Sequence, residues 1–296
     1  MKNPVIMHIN YAEVAGRNFA EQTIDSVCRL ASSLGYNGVE FRGVAPACLG
    51  DISFLEYAKQ IAKAKERYGL TDIMFGMGVG DAASRDKSAR DTAVAFAVER
   101  AKIAREICDT RVCNTSATPV YSKDSAHPHY SYEFHGSAAS CEEDWVLTVD
   151  TYQRIAVELE KLGVRFAYET HMNYLHDLPA TARRLVDMID SPMVGINLDY
   201  GNSVYFPKPP SLEDAIDICG DKLFYTHLKN SVGLPDSGRR FPVALSEGAI
   251  NHRLYVKKLA AIDFQGPIGI EAPRPGDRYW FAKCDIEYFK LLYQEL

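Results

Sequence analysis

The chain of 296 residues has an ordinary globular composition, with 47% hydrophobic and 24% charged residues, and it is long enough to form one large core. Its formal net charge is −6, from 33 basic and 39 acidic residues, and no block of lysine or arginine stands out. These features argue against a nucleic-acid or membrane partner and favour a small molecule. No apolar run approaches the roughly 20 residues that a membrane-spanning helix needs.

The N-terminal segment and the cysteines bear on the compartment. The chain is apolar for only a few residues before His8 and Asn10, so the long apolar region of a signal peptide is not seen. The seven cysteines are scattered, odd in number and without a Cys-x-x-Cys pair, which is typical of reduced thiols rather than a disulfide framework. We therefore expect a soluble, cytoplasmic protein.

Short apolar runs alternate with longer segments of helical spacing along the whole chain. Runs such as Val194 to Leu198 are almost continuously apolar, as expected for parallel strands that are covered on both faces. The pattern predicts eight strands, at Pro4 to Asn10, Gly38 to Arg42, Asp72 to Met77, Thr110 to Thr115, Arg165 to Thr170, Met193 to Tyr200, Leu223 to Lys229 and Pro267 to Ala272.

Helical stripes of apolar residues lie between these runs, at 54–68, 94–104 and 145–162. Gly35, Gly69 and Gly163 stand where a left-handed cap would end a helix before the next strand. Eight strands, each followed by a helix, predict an α/β fold, a single (β/α)₈ TIM barrel over residues 1–296. A doubly wound open sheet is the alternative, but no linker or composition break divides the chain.

Two connections, at about 116–140 and 230–249, are longer than usual. Both follow a strand, so in a barrel both lie over the C-terminal face, where active sites are assembled. The first contains His127, His129 and His135 among aromatic residues. We interpret these histidines as part of a lid, in preference to a second metal site.

Four predicted strands end in a residue that can bind a divalent cation: Glu169, Asp199, His227 and Glu271. Any one of them alone is typical of an ordinary polar strand end or helix cap. Four in register would bring three carboxylates together, which is costly without a cation. Oxygen-rich ligation with one imidazole favours one divalent ion, with Mn²⁺ expected and Co²⁺, Mg²⁺ or Zn²⁺ as alternatives.

These four strand-end motifs resemble the metal site of the sugar phosphate isomerase/epimerase superfamily, which includes ketose 3-epimerases, inosose dehydratase, xylose isomerase and the endonuclease of apurinic sites. The segments Gly35-Tyr-Asn-Gly-Val-Glu40 and Leu245-Ser-Glu-Gly-Ala-Ile-Asn251 are also similar to that superfamily. The resemblance implies that Glu169 and Glu271 are the acid and base that act on a metal-bound enediolate. It implies that Asp199 and His227 only hold the ion.

Some positions depart from the superfamily pattern. Asn202 stands where epimerases often have a histidine, and Leu-Lys-Asn230 follows His227 where an acidic residue is usual. The additional histidines of the endonuclease's trinuclear zinc cluster are not reproduced by His8, His171 and His252. DNA repair is therefore not expected.

Further residues are candidates for contact with substrate, each with an ordinary structural alternative. An inward-facing His8 could line the pocket or be an ordinary core histidine. Glu40 could line the pocket or form a buried ion pair with Arg42. The other candidates are Asn202, Arg239, Arg240 and Arg274. The segment Gly76 to Gly80 lacks the spacing of a dinucleotide fingerprint, so NAD binding is not expected.

The sequence thus predicts a divalent-metal-dependent isomerase or epimerase of a sugar or related polyol ketone. A lyase that acts on a 3-keto sugar or an inosose, as a dehydratase or a C-glycoside deglycosidase, is the first alternative. A non-catalytic binding subunit is the second. A homo-oligomer is compatible with a barrel of this kind, although no residue decides it.

Overall fold

In the computed structural model, which describes residues 2–12, 23–234, 239–271, 274 and 276–296, eight parallel strands close into a barrel. Neighbouring strands follow the chain order, and the first strand pairs with the last through Val5 and Ile268. The predicted TIM barrel is therefore confirmed. Its strands are β1 Val5–His8, β2 Gly38–Arg42, β3 Asp72–Gly78, β4 Val112–Ser116, β5 Arg165–Glu169, β6 Val194–Asp199, β7 Leu223–Leu228 and, after two strands outside the barrel, β10 Ile268–Ile270.

Helices cover the outside of the barrel, and glycines end three of them where the sequence predicted. Gly35, Gly69 and Gly163 have φ values of 79°, 65° and 64°, in the left-handed region that glycine adopts without steric cost. The helices are α1 Ile24–Leu34, α2 Phe54–Tyr68, α3 Lys87–Cys108, α4 Glu142–Leu162, α5 Pro179–Ile189, α6 Tyr200–Ser203, α7 Leu212–Cys219, α8 His252–Ala261 and α9 Arg278–Gln294. None of these helices is long and apolar enough to cross a bilayer.

The barrel interior is filled in layers that alternate strands contribute. The lowest layer is apolar, comes from β1, β3, β5 and β7, and consists of Ile6, Met74, Ala167 and Tyr225. Because side chains on one face of a strand recur every second residue, the same four strands place His8, Gly76, Glu169 and His227 above it. The apolar layer closes the N-terminal end, and the polar layers face the C-terminal end.

The other four strands, β2, β4, β6 and β10, supply the inward-facing layers that lie between and above the layers of the first four strands. Glu40, Asn114 and Asn197 point inward and are linked by hydrogen bonds, with Asn114 donating to Glu40 at 3.1 Å and Asn197 donating to Asn114 at 3.1 Å. The register pairs Asp199 with His227 on neighbouring strands. Asp199 lies two residues after the inward-facing Asn197 of β6, and Glu271 lies two residues after Gly269 of β10. The barrel register alone therefore brings the predicted metal ligands to one end.

Strand bounds differ from the prediction by a few residues. The first strand ends at His8, because the chain turns into a 3-10 helix at Ile9–Tyr11, so Asn10 is not a strand residue. The predicted end of the last strand, Ala272, lies outside the described residues.

The two long connections are more ordered than loops. Short 3-10 helices at Tyr132–Phe134 and Gly136–Ala138 lie in the first. The second contains an antiparallel hairpin of β8 Asn230–Gly233 and β9 Arg240–Val243, which the sequence did not predict.

Candidate metal centre

Four side chains from neighbouring strand ends converge at the C-terminal end of the barrel. Glu169, Asp199, His227 and Glu271 each offer one ligand atom, and these atoms lie within 4.8 Å of one another. The Nδ1 atom of His227 is 3.2 Å from Glu271 Oε2, 3.8 Å from Asp199 Oδ2 and 3.9 Å from Glu169 Oε2. The residues that the sequence predicted as ligands are therefore in mutual contact distance.

The imidazole of His227 is oriented by groups behind it. Its Nε2 lies 2.8 Å from Glu40 Oε2, and Tyr225 donates its hydroxyl to the same oxygen at 2.7 Å. Because an ionised carboxylate only accepts hydrogen bonds, Nε2 must carry a proton. Nδ1 is therefore left to face the three carboxylates, where it has no hydrogen-bond partner among the described residues although it is fully buried.

That unpartnered nitrogen fits a metal ligand. Buried polar atoms are nearly always satisfied, and an imidazole whose second nitrogen donates to a carboxylate is a recurring arrangement at metal centres. Three carboxylates and one imidazole are a donor set for a hard or borderline divalent ion. The residues present fit the ion that the sequence predicted.

Amide side chains hold the two glutamates. Asn114 donates to Glu169 Oε2 at 2.8 Å, and Asn202 donates to Glu169 Oε1 at 3.2 Å. Asn10 donates to Glu271 Oε1 at 3.0 Å. Each glutamate therefore keeps a defined position while part of its carboxylate stays available.

The charges at the site are strongly coupled. Burial raises the pKa of Asp199, the charge of Lys229 opposes this effect and the neighbouring glutamates add to it, and the resulting pKa is about 6. Burial also opposes ionisation of Glu169, but the electrostatic attraction of the neighbouring His227 imidazole outweighs it and lowers the pKa of Glu169. Burial lowers the pKa of Lys229, yet the charges of Asp199 and the two glutamates raise it overall. The three carboxylates therefore place an excess of negative charge at the site, which cations would stabilise.

A pocket of about 270 Å³ opens next to the four ligands. Glu169 and Glu271 line it, with side chains 16% and 14% exposed, whereas Asp199 and His227 are fully buried behind them. The remainder of the wall is mostly polar and includes His8, Arg42, Asn114, Ser116, His171 and Tyr174. A small polar molecule can therefore reach the two glutamates but not the other two ligands.

The predicted substrate residues on the inner strands have different positions. His8 lines the pocket, and its ring stands edge-on to His227 at 5.5 Å. Glu40 also lines the pocket, but its carboxylate is engaged by His227, Tyr225 and Asn114, so it orients the imidazole. Asn202 is buried and donates to Glu169 and to the Thr170 carbonyl.

The three predicted arginines lie away from this pocket. Arg239 and Arg240 border a neighbouring groove of about 1040 Å³, and Arg240 donates to Ser231 Oγ at 2.9 Å. Arg274 is buried and pairs with Asp285 at 2.9 Å, and it also donates to the Val243 carbonyl. Arg274, predicted as a candidate for contact with substrate, is therefore already paired inside the fold.

The histidines of the first long connection do not line this pocket. His135 is buried, accepts from the Ser122 amide at 3.0 Å and contacts the Pro128 carbonyl at 3.0 Å. His127 stacks on Phe134 with ring centroids 3.9 Å apart, and His129 lies edge-on to Tyr121. The geometry of all three is that of residues that shape the connection itself.

Sequence reasoning missed the amides and the lysine that support the ligands. Asn114 and Asn197 interrupt otherwise apolar strands, which is a readable sign that a polar group faces inward. Tyr225 and Lys229 flank His227 at intervals of two, and so share its inward side. Asn10 gave no such signal, because it reaches Glu271 only through the turn that follows β1.

Solved structures of low sequence identity share this fold. The D-allulose 3-epimerase from Methylomonas sp., in complex with D-allulose, is 17% identical, with a TM-score of 0.72 over 98% of this chain and 97% of that chain. A probable 3-DHS dehydratase involved in petrobactin synthesis, from Bacillus anthracis, is 16% identical, with a TM-score of 0.72 over 97% and 98% of the two chains. A xylose isomerase-like TIM barrel protein from Mycobacterium smegmatis, in complex with magnesium, is 16% identical, with a TM-score of 0.74 over 98% and 96%.

No curated protein matches the chain in sequence. Residues 28–287, however, match the sequence family described as xylose isomerase-like TIM barrel. That match includes all four converging ligands and most of the strands that position them. The chain therefore belongs to the xylose isomerase-like TIM barrel family.

Proposed function

We propose that the protein is a divalent-metal-dependent isomerase or epimerase of a small sugar or related polyol ketone. One observation carries this proposal: of the four ligands, Glu169 and Glu271 reach the pocket, whereas Asp199 and His227 are fully buried. Two exposed carboxylates beside two sequestered ligands divide the site into groups that can exchange protons with a substrate and groups that only hold an ion.

Glu169, Asp199, His227 and Glu271 would hold the ion, for which Mn²⁺ is our first candidate. When bound, such an ion supplies a Lewis acid that polarises a carbonyl and makes the neighbouring C–H more acidic.

The glutamates would carry the protons. One carboxylate removes the proton from the carbon beside the carbonyl, and the other returns a proton to the opposite face. The lowered pKa of Glu169 and Glu271 keeps both carboxylates ionised, as the base requires, and the one that returns a proton must first take one up. Asn114 and Asn202 hold one carboxylate and Asn10 holds the other, which limits the motion of each.

A lyase is the second candidate, because elimination begins with the same proton removal. Asn202 donates its amide to Glu169 where epimerases often have a histidine. A second groove, of about 1040 Å³, has aromatic walls at Tyr130, Tyr132 and Tyr205, which are suited to an aglycone. The fold is also shared by a probable dehydratase.

Proton NMR in D₂O tests the proposal. The Mn²⁺-treated protein, exchanged into Mg²⁺, is incubated with free ketoses, ketose phosphates, an inosose and 3-keto-glucosides. Deuterium at the carbon beside the carbonyl, together with a new epimer or isomer, supports the isomerase. Deuterium followed by loss of a substituent supports the lyase. If none of these compounds exchanges while the protein holds the ion, a non-catalytic binding subunit becomes the better account.

A further inference from the structure

Lys229 places an ammonium group directly at the four-ligand cluster. It lies two residues after His227, and its Nζ is 2.7 Å from Asp199 Oδ2 and 3.6 Å from Glu271 Oε2. Its side chain is only 13% exposed. A lysine is rarely buried unless it is paired, so this position requires an explanation.

The fold makes room for this lysine. A Cβ atom on Gly201 would lie 2.3 Å from Lys229 Cγ and 3.1 Å from Lys229 Cε. The backbone of Gly201 does not adopt the left-handed conformation that would by itself favour glycine. Glycine is therefore needed here for space, and the space is filled by the stem of Lys229.

In both Asp199 and Glu271, the carboxylate oxygen nearest the Lys229 ammonium is also the one nearest His227 Nδ1. His227 Nδ1 lies 3.8 Å from Asp199 Oδ2 and 3.2 Å from Glu271 Oε2. Lys229 therefore contacts the same two oxygens that the metal centre offers to an ion. Two cations that share these oxygens would repel each other strongly, because the site is shielded from water.

We propose that Lys229 is a tethered counter-cation, which holds the carboxylates together before a divalent ion binds and competes with that ion for Asp199 and Glu271. This inference depends on the metal centre of the proposed function. It does not depend on turnover. The ligand set is thereby assembled without metal, and the ammonium must withdraw from Asp199 when the ion enters. The bound ion is correspondingly easier to exchange.

Two variants test the inference. Lys229→Met removes the charge and keeps much of the apolar stem, whereas Lys229→Arg keeps the charge. The affinity for Mn²⁺ is measured by electron paramagnetic resonance of the free ion, and thermal unfolding is followed both without metal and at saturating Mn²⁺. We expect Lys229→Met to bind Mn²⁺ at least about tenfold more tightly, since loss of a competing cation lowers the dissociation constant. Lys229→Arg should stay close to the parent protein.

The unfolding curves provide the second readout. Lys229→Met should lower the melting temperature of the metal-free protein, because Asp199 and Glu271 lose their counter-charge, and saturating Mn²⁺ should remove most of that difference. Unchanged or weaker Mn²⁺ binding in Lys229→Met would overturn the inference. So would an equal loss of melting temperature with and without Mn²⁺, or an absence of Mn²⁺ binding in all three proteins. If Mn²⁺ binding behaves as expected but no sugar exchanges deuterium, the tethered cation stands and the isomerase proposal falls.

Discussion

Glu40 and His227, separated by 187 positions in the sequence, meet across the barrel with Glu40 Oε2 2.8 Å from His227 Nε2. Glu40 is 1% exposed, and its pKa is lowered because the charge and hydrogen bond of His227 outweigh the opposing effect of burial. This contact decides which imidazole nitrogen faces the three carboxylates. It is therefore the link between the second strand and the metal centre.

Replacing Glu40 should weaken metal binding although none of the four candidate ligands is changed. We expect Glu40→Gln to reduce the affinity for Mn²⁺ by about 10- to 100-fold, the usual cost of losing a group that orients a ligating histidine. Glu66→Gln, on the exposed face of α2, is the matched control and should bind Mn²⁺ as the parent does. Equal affinities for Glu40→Gln and the control would show that the contact does not orient His227.

Gly269 should tolerate no side chain, for steric reasons. A Cβ atom there would lie 2.3 Å from the Tyr225 hydroxyl oxygen and 2.7 Å from His227 Cδ2. We expect Gly269→Ala to displace the imidazole, to weaken Mn²⁺ binding and to cost about 1–3 kcal/mol of unfolding free energy, as overpacking typically does. Gly80→Ala is the control, because nothing lies within 4 Å of the added atom. Urea unfolding and Mn²⁺ titration of the two variants should therefore diverge.

Kinetic measurements should distinguish the two glutamates, which act on the substrate, from the buried ligands, which only hold the ion. Glu169→Gln and Glu271→Gln should each slow epimer formation by about 10²- to 10⁴-fold at saturating Mn²⁺, the usual contribution of a general acid or base. Asp199→Asn, by contrast, should act mainly through a loss of Mn²⁺ affinity. Deuterium exchange is followed together with the measured metal content. Full activity in metal-loaded Glu271→Gln would contradict the assigned roles.

His252 should make the fold sensitive to mild acid. Burial lowers its pKa from 6.5 to about 4, and its Nδ1 lies 3.0 Å from the Leu245 carbonyl. Between these two pH values the unfolded chain binds a proton that the folded chain does not, so stability is complete above pH 6.5 and falls as the pH drops toward 4. The contribution of His252 to the slope of the unfolding free energy against pH approaches roughly 1.4 kcal/mol per pH unit.

The variant His252→Asn keeps a donor near the Leu245 carbonyl and removes the titrating group. Urea unfolding at several pH values through this window should show a smaller loss of stability than in the parent protein, while His176, whose pKa burial also lowers to about 4, continues to contribute. Identical pH profiles for the variant and the parent would refute the assignment to His252.

The sequence predicted the barrel and the convergence of four candidate ligands because both depend on local signals. Glu169, Asp199 and His227 each end a short apolar run, and the alternation of strands with helices brings such ends together. The inward supports were harder to predict, because Glu40, Asn114 and Asn197 come from three strands whose facing depends on the barrel register.

The sequence was less informative where the chain leaves the barrel. Arg274 follows Glu271 closely in sequence, yet it pairs with Asp285 of α9, and nothing in the local pattern identifies that partner. The histidines of the first long connection illustrate the same difficulty. Their contacts depend on turns at 128–139, such as the one that presents the Pro128 carbonyl to His135, rather than on a repeating pattern.

The most direct test of the metal centre is anomalous scattering from manganese in crystals grown with Mn²⁺. We predict one strong peak in contact with ligand atoms of Glu169, Asp199 and Glu271 and with Nδ1 of His227, and an ammonium of Lys229 that has moved away from Asp199. A peak elsewhere, or density at that position explained by the Lys229 ammonium alone, would contradict the proposed centre and the isomerase function that depends on it.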